Sequence, residues 1–544
     1  MMKKFSLILT VALLALSIGT AFGDYVVRIT LPQGRPVADL VRCPGVTLWG
    51  YFSSGLIAKV AADKLPTPEV QEYHPEVLDE VKSDGAYYIA WDAGYPEGQT
   101  ILLSWAKILC SENGAYLVWV SDPSGFVMNK GPLMLNRIGH RPLIVSQDET
   151  VDSPSIFAVN PFVQAMVNAV RVDSTMAALR RLQNYRNRYS TSDSCRAAVN
   201  WTADKYRAYR ARIPQDTVTI FNWSGTHAPD VYLERPGYVH PETIAVIGGH
   251  IDDMSNPGAD DNGTGTVAAI EAARVMKGYD FELTARCCAF TGEEQGLLGS
   301  DTLASYFYRR GDRVIGMLNY DMIGHVDIAP ESLDIHGRTG TSDDWLMNFA
   351  KAAADTYTTM PVVLIKSNLS GSDHASFWAQ GWTATCQIED YPLHNPAYHT
   401  QADTIGTGPN VGVNDTLWFV NAVRAGVAAF ALLCRPFRAN AVADAGTSIG
   451  LPGALALRPV IPNPSTGKSL IRYVLPRSAY TTLEAYDLGG RLVKKIGAGY
   501  TRVGEHQVSW NGRSELGELL PNGIYFLKLQ AGSETRTLPL VLIR

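Results

Sequence analysis

Apolar and polar positions alternate along the middle of the chain in a way that separates strands from helices. Short runs rich in apolar and β-branched residues are typical of buried strands, and they lie at residues 244–247, 286–290, 314–318, 333–336 and 384–388. Stretches with helical spacing lie near residues 297–308, 344–356, 373–380 and 418–434. Because strands that alternate with helices are typical of βαβ units, this pattern predicts an α/β domain within residues 151–438.

The two flanks of this domain follow a different pattern. Residues 24–150 contain aromatic and β-branched runs separated by Gly, Pro, Asp and Asn, which predicts an N-terminal β-rich domain. We find no chemical constellation there, so we expect a packing or propeptide-like domain, with a substrate- or surface-binding module as the alternative. Residues 439–460 have the composition of a linker. Short strands with Gly and Pro turns over residues 461–544 predict a small β-sandwich.

The N-terminus has the pattern of an export signal. Lys3 and Lys4 precede the apolar residues 5–18, and Ala21, Phe22 and Gly23 offer small residues at the positions that a signal peptidase reads. This predicts a signal peptide at residues 1–23 and a secreted or cell-surface protein, with a retained membrane anchor as the alternative. No other stretch is apolar over the ~20 residues that a spanning helix needs, so we expect no transmembrane segment after signal removal.

Composition narrows the classes of protein to consider. Of the 544 residues, 46% are hydrophobic and 18% are charged, as in an ordinary folded protein. The formal net charge of −6 gives no sign of a basic surface, so no nucleic-acid partner is expected. The seven cysteines show no zinc-like C-x-x-C spacing.

Polar residues gather where the first strand of the α/β domain ends. His250 and Asp252 follow that strand, and Asp260 and Asp261 then precede Asn262 and a helix. Open α/β sheets keep their sites at such strand ends, and one imidazole with several carboxylates suits zinc or another divalent transition metal. The alternative is an Asp/Asn/Gly turn that caps a helix beside an ordinary loop histidine. The run G-A-D-D-N-G-T-G at residues 258–265 favours the metal.

Three later segments carry the same kinds of residue. Glu293 and Glu294 follow the run at 286–290, and neighbouring side chains point in different directions, so these two acids can do different jobs. Their alternative is an acidic helix start favoured by the helix macrodipole. Asp321 follows the run at 314–318, and Tyr398 and His399 lie in P-A-Y-H-T at residues 396–400.

In their order and context these motifs resemble the dizinc aminopeptidase family, the co-catalytic zinc exopeptidases that include secreted bacterial leucine aminopeptidases. The resemblance covers about residues 182–435 and implies a mixed β-sheet with helices on both faces. It implies two Zn²⁺ per catalytic domain, held by His250, Asp261, Glu294, Asp321 and His399. It also implies that Asp261 bridges the two ions, that Asp252 orients His250 and that Glu293 is the general base.

The function that this resemblance implies is a secreted zinc-dependent exopeptidase, which hydrolyses N-terminal residues from peptide substrates with a metal-bridged hydroxide. Tyr398 is the candidate for stabilising the oxyanion, since a phenol donates a hydrogen bond, whereas some relatives place a tyrosine where this chain has Leu369. Alternatives within the fold are a carboxypeptidase, with Arg338 as a candidate to bind the substrate carboxylate, and a glutaminyl-cyclase-like enzyme with one zinc. A non-catalytic surface-binding protein is the alternative of another class.

The C-terminal sandwich has a resemblance of its own. The segments P-N-P at 462–464, Y-D-L-G-G-R at 486–491 and N-G-I-Y-F-L-K at 522–528 resemble the immunoglobulin-like and sorting modules of exported bacterial proteins. The resemblance implies that this module contacts the cell surface or the secretion machinery.

Overall fold

The computed structural model divides the chain into two compact units, residues 1–277 with 281–436 and residues 278–280 with 437–544. The described residues are 23–32, 37–145, 159–212, 215–339, 343–391, 394–439, 455–457, 465, 469–475, 479–501, 504–515, 517–532 and 534–543. The predicted signal peptide lies outside the described residues apart from Gly23, and so does most of the predicted linker.

The N-terminal region, residues 24–150 of the first unit, is β-rich as predicted, with two antiparallel sheets of four strands each. In spatial order the first sheet contains Val46–Phe52, Gly55–Val60, Tyr25–Ile29 and Glu76–Glu80. The second contains Lys107–Glu112, Ala115–Val120, Ala86–Asp92 and Leu133–Ile138. The helices of this region are Val37–Val41, Pro68–Gln71, Pro96–Trp105 and Pro123–Met128.

The N-terminal region shares a core with the rest of the first unit. Phe52 from the first sheet and Trp91 from the second belong to one apolar cluster that also contains Leu369 and Tyr398. The Trp91 indole Nε1 donates a buried hydrogen bond of 3.2 Å to Ser370 Oγ. The N-terminal sheets are therefore packed directly against the segments that carry part of the predicted site.

The predicted α/β domain is built on one mixed sheet of eight strands, which confirms the predicted fold class. In spatial order the strands are Val362–Lys366, Leu333–Gly337, Ala384–Ile388, Arg313–Tyr320, His240–His250, Leu283–Phe290, Asp230–Arg235 and Thr217–Phe221. Four neighbouring strands in the middle run parallel, from Ala384–Ile388 to Leu283–Phe290. On each side of these four the next strand runs antiparallel. The sequence patterns did not predict Thr217–Phe221, Asp230–Arg235 or Val362–Lys366.

Helices cover both faces of this sheet. They are Pro161–Ala169, Val172–Gln183, Asp193–Ala208, Gly265–Val275, Leu298–Arg310, Asp344–Tyr357, His374–Trp378 and Thr416–Cys434. On one face Val246 shares an apolar cluster with Leu303 and Phe377. A Cβ at Gly316, which points to the opposite face, would lie 3.2 Å from Leu346 and Leu433. Both faces of the middle strands are thus buried, which is why their sequences are continuous apolar runs.

One helix corrects the expectation that no further stretch is apolar enough to span a membrane. Thr416–Cys434 has 19 residues and a mean hydropathy of 1.8 in its most apolar window. By length and composition alone, this helix could cross a membrane. Within this structure 72% of that window is buried. The helix is apolar all round because it packs against the sheet and other helices, as the core helix of a large domain does.

The C-terminal unit has the two sheets that were predicted for a β-sandwich. One sheet contains Ala456–Leu457, Ser469–Leu475 and Gly504–Trp510. The other contains Leu492–Thr501, Ala479–Tyr486, Gly523–Ala531 and Glu534–Leu542. Ile471 and Trp510 from the first sheet share an apolar core with Leu483, Leu527 and Leu540 from the second. This unit therefore has a core of its own.

Candidate metal centre

The candidate ligands lie where neighbouring parallel strands end. His250 is the last residue of its strand, and Asp321 comes directly after Arg313–Tyr320. Glu294 lies in the loop after Leu283–Phe290. His399 lies in the loop that follows Ala384–Ile388. Because the four strands run parallel side by side, their carboxyl ends meet at one edge of the sheet and bring these side chains together.

The fifth candidate, Asp261, lies in the turn Ala259–Thr264 that leads into the helix Gly265–Val275. Asn262 holds this turn on the sheet, because its Nδ2 donates to the Tyr320 carbonyl at 2.8 Å and its Oδ1 accepts from the Gly265 N–H at 2.7 Å. A Cβ at Gly265 would lie 1.9 Å from that same Tyr320 carbonyl oxygen, so the turn requires glycine there. The D-N-G-T-G sequence thus brings the Asp261 carboxylate to the strand ends.

Two histidine–carboxylate groups share Asp261. His250 Nε2 lies 3.3 Å from Asp261 Oδ1 and 3.3 Å from Asp321 Oδ1. His399 Nε2 lies 3.0 Å from Asp261 Oδ2 and 3.2 Å from Glu294 Oε2. Two ligands on one tetrahedral zinc, at the usual bond lengths, stand about 3.4 Å apart. We call the first group the His250 position and the second the His399 position.

The hydrogen-bonding state of these atoms also fits a metal. Asp261 Oδ2, Glu294 Oε1, Asp321 Oδ1 and His399 Nε2 are buried, and none of them makes a hydrogen bond to a described residue. Buried polar atoms in proteins are nearly always paired, and each one left unpaired costs about 1–3 kcal/mol. Unpaired ligand atoms on residues that cluster in this way are what divalent cations would satisfy. The residues present therefore fit zinc.

Main-chain carbonyl oxygens orient both histidines. His250 Nδ1 donates to the carbonyl oxygen of Asp252 at 3.1 Å, while the Asp252 carboxylate lies farther away at 3.7 Å. His399 Nδ1 donates to the carbonyl oxygen of Gly131. In each ring the proton on Nδ1 leaves Nε2 as the acceptor that faces the carboxylates. The family resemblance implies that Asp252 orients His250, and in the structure the nearer acceptor is its main-chain oxygen.

Glu293 and Glu294 have opposite electrostatic environments although they are neighbours. Burial, with the adjacent charge of Glu294, raises the pKa of Glu293 well above its ordinary value. Burial also acts against the charged form of Glu294, but the charges of His399 and Lys130 outweigh it and hold the pKa of Glu294 well below its ordinary value. Glu293 Oε2 lies 3.9 Å from His250 Nε2, farther than the two carboxylates of the His250 position. Such a pair can divide the work of proton transfer and metal binding.

Two further candidates from the sequence, Tyr398 and Arg338, are both buried. Tyr398 is buried, and its ring stacks on His399 with the ring centroids 3.8 Å apart. Arg338, the candidate for binding a substrate carboxylate, is buried and forms two hydrogen bonds of 2.7 Å to the Asp343 carboxylate. Its guanidinium therefore pairs with Asp343 within the fold, and Arg338 no longer supports the carboxypeptidase alternative.

Sequence reasoning missed one residue of this centre. Lys130, from the N-terminal region, places its Nζ 2.5 Å from Glu294 Oε2. Burial acts against the ammonium, but the charges of Glu294 and Glu293 outweigh it and raise the pKa of Lys130. A lone lysine in a turn is ordinary, so no sequence signal could have pointed to it.

Two segments of the chain match known protein families. Residues 230–416 match the model of peptidase family M28, and residues 463–535 match that of the FlgD Ig-like domain. A protein described as "Probable leucine aminopeptidase" from Arthroderma benhamiae is 28% identical over 298 residues, which are 51% of this chain and 81% of the relative. A probable aminopeptidase from Saccharomyces cerevisiae is 30% identical over 244 residues, which are 42% of this chain and 65% of the relative.

A solved structure shares the fold. The LapA aminopeptidase of Legionella pneumophila superimposes with a TM-score of 0.51 at 19% identity, over 65% of this chain and 99% of the LapA chain. At that identity the likeness concerns the fold alone.

Proposed function

We propose that this peptide hydrolase, whose chain contains a peptidase family M28 domain, is an aminopeptidase that holds two Zn²⁺ and removes N-terminal residues from peptides. The observation that carries the proposal is the pair of histidine–carboxylate groups that share Asp261. His250 and Asp321 would hold one ion and His399 and Glu294 the other, with one oxygen of Asp261 for each. When bound, zinc supplies Lewis acidity toward a peptide carbonyl and makes a water nucleophilic at neutral pH.

The residues of the chain supply the proton transfer and the orientation. Glu293 belongs to neither shared group of ligands, and its raised pKa suits a general base that receives a proton from the attacking water and passes it to the leaving amine. Tyr398, stacked on His399 beside the centre, is our candidate donor to the oxyanion. The carbonyl oxygens of Asp252 and Gly131 keep the two imidazoles turned toward the ligating carboxylates.

Export and domain organisation are part of the proposal. The pattern of residues 1–23 supports secretion, and the FlgD Ig-like match at residues 463–535 supports a C-terminal module that contacts the cell surface or the secretion machinery. We propose domain boundaries at 24–150 for the N-terminal domain, 151–438 for the catalytic domain, 439–460 for the linker and 461–544 for the sandwich. The separate apolar core of the sandwich supports its independence.

Metal counting combined with a substrate panel tests the function. We expect two zinc equivalents per chain, and hydrolysis of substrates with a free N-terminal amine but not of N-acetylated ones. The exposed group Asp327, Asp390 and His394 could bind zinc adventitiously, so a His394→Ala variant is the control and should keep both equivalents. A count that stays at one under excess zinc would favour the cyclase-like alternative. Release of C-terminal residues would favour a carboxypeptidase.

A further inference from the structure

A loop of the N-terminal region reaches into the metal centre. Residues 129–132 connect the helix Pro123–Met128 to the strand Leu133–Ile138. The Lys130 side chain is only 2% exposed, and its Nζ lies 2.5 Å from Glu294 Oε2. The next residue, Gly131, accepts the hydrogen bond from His399 Nδ1. One loop therefore contacts two candidate ligands of the His399 position.

Lys130 contacts the Glu294 oxygen that also faces His399. Glu294 Oε2 lies 3.2 Å from His399 Nε2 and 2.5 Å from the ammonium, so an imidazole and a cation converge on one carboxylate oxygen. Like charges repel most strongly at short range in a buried site. An ammonium that is already paired with Glu294 supplies the charge that a metal would otherwise supply to this carboxylate.

The His250 position has no such contact. Among the described ion pairs, Lys130 is joined to Glu294 and not to His250, Asp261 or Asp321. Any effect of Lys130 should therefore be strongest at the His399 position, which leaves the His250 position as an internal reference.

The loop holds the lysine in place. Gly131 has a φ of +54°, and a Cβ there would lie 2.5 Å from Ile101 Cδ1, so this backbone conformation favours glycine. Asn129 Nδ2 donates to the Gly125 carbonyl at 2.7 Å, and the Leu133 N–H donates to the Lys130 carbonyl at 3.2 Å. The ammonium is thus tethered by a fixed backbone and a flexible side chain.

We propose that Lys130 is a tethered cation that competes with the metal ion for the His399 position, so that the N-terminal region sets how tightly the second ion is held. This inference rests on the proposed two-metal function. Lys130 acts through Glu294 and is therefore a positioning residue. Binding of the second ion displaces the ammonium from Glu294.

Zinc titration of the metal-free, full-length protein by calorimetry tests the competition. Wild type should bind one ion tightly and a second more weakly. In Lys130→Met, which keeps the length of the side chain but not its charge, the second ion should bind roughly tenfold more tightly or better, with the first unchanged. Lys107→Met is the matched control, because Lys107 is an exposed lysine of the same region that pairs with Asp79, and it should bind as wild type does.

Other results of the titration would be decisive. Unchanged or weaker binding of the second ion in a folded Lys130→Met protein would overturn the proposal, because Lys130 would then support Glu294 alongside the metal. If neither wild type nor any variant binds two ions, the two-metal function itself fails, and this outcome differs from a failure of the competition.

Amine labelling of the wild-type protein gives a test that needs no variant. In the metal-free protein Lys130 should be shielded, and saturating zinc should increase its labelling several-fold, as measured by mass spectrometry. Lys107 should be labelled equally in both states. Equal labelling of Lys130 with and without zinc, when both ions are bound, would overturn the proposal.

Discussion

Two groups of buried acids each include one acid of the turn Ala259–Thr264, and their hydrogen bonding differs. The first is the ligand group Asp261, Glu294 and Asp321, each of which has a buried oxygen without a hydrogen bond. The second is the supporting group Asp260, Glu389 and Asp403. Each supporting acid accepts hydrogen bonds from nearby donors, such as those from Thr264 Oγ1 to Asp260 and from the His325 N–H to Glu389.

The difference teaches how equally buried acids acquire different roles. Asp403 accepts the N–H groups of Asp260 and Asp261 at 2.8 and 3.1 Å, and so fixes the turn that presents Asp261. Burial raises the pKa of Asp403 to about 7, although the two N–H groups act in the opposite direction. In the ligand group Ser372 Oγ donates to Asp321 and Lys130 pairs with Glu294, yet each acid keeps one buried oxygen without a hydrogen bond, and the group faces two imidazoles. Burial alone therefore does not single out a candidate metal ligand, whereas an unpaired oxygen on an acid beside the two imidazoles does.

The largest effect on activity should come from Glu293→Gln. In the proposed mechanism this residue moves a proton and does not hold metal, so we expect kcat to fall about 10²–10⁴-fold with little change in KM and with both zinc ions retained. Glu294→Gln should instead lose the ion of the His399 position first, since a neutral amide is a poor zinc ligand. Steady-state kinetics together with metal analysis of both variants separates the two roles. Zinc loss in Glu293→Gln with retention in Glu294→Gln would show that the roles are exchanged.

Asp252→Asn should have an intermediate effect. Changing a residue that supports a metal ligand typically lowers metal affinity or activity 10–100-fold. The main-chain oxygen of Asp252, which holds His250, remains in the variant, so we expect a loss near the lower end, about tenfold in zinc affinity at the His250 position. Competition with a chelator measures it. A loss as large as that of His250→Ala would mean that the carboxylate, 3.7 Å away, does most of the orienting.

The smallest effect on activity should come from the supporting group. Thr264→Val removes a donor to Asp260 and leaves the buried Ile323 N–H without its acceptor. We expect the free energy of unfolding to fall by about 1–3 kcal/mol, with the activity of the folded, zinc-loaded protein nearly unchanged. Denaturant unfolding measures the loss. Thr202→Val is the control, since the buried Thr202 donates to a carbonyl of its own helix. This substitution should lower the free energy of unfolding by less than Thr264→Val does.

The contrast between the two groups also shows where sequence reasoning works. The ligand group stands in short motifs at the ends of apolar runs, which drew attention to it in the sequence. In the supporting group, Asp260 stands in the same motif as Asp261 and differs from it only in its contacts, whereas Glu389 and Asp403 look like ordinary loop acids. Similarly, the strand Asp230–Arg235 was not predicted, because a charged residue stands at each of its ends. Their partners, the Thr291 N–H for Asp230 and the Asp216 carboxylate for Arg235, come near only in the folded chain.

The sequence by itself determined the α/β fold of the catalytic region, the two β-rich flanks and the residue types available for metal binding. Those features depend on periodicity and on local turn chemistry, which a chain carries in its order of residues. Only the tertiary structure decided that Asp261 faces both histidines, that Arg338 is committed to Asp343 and that Lys130 lies against Glu294. These contacts join segments far apart in the chain or depend on which way a side chain points. Packing, and not local sequence, fixes them.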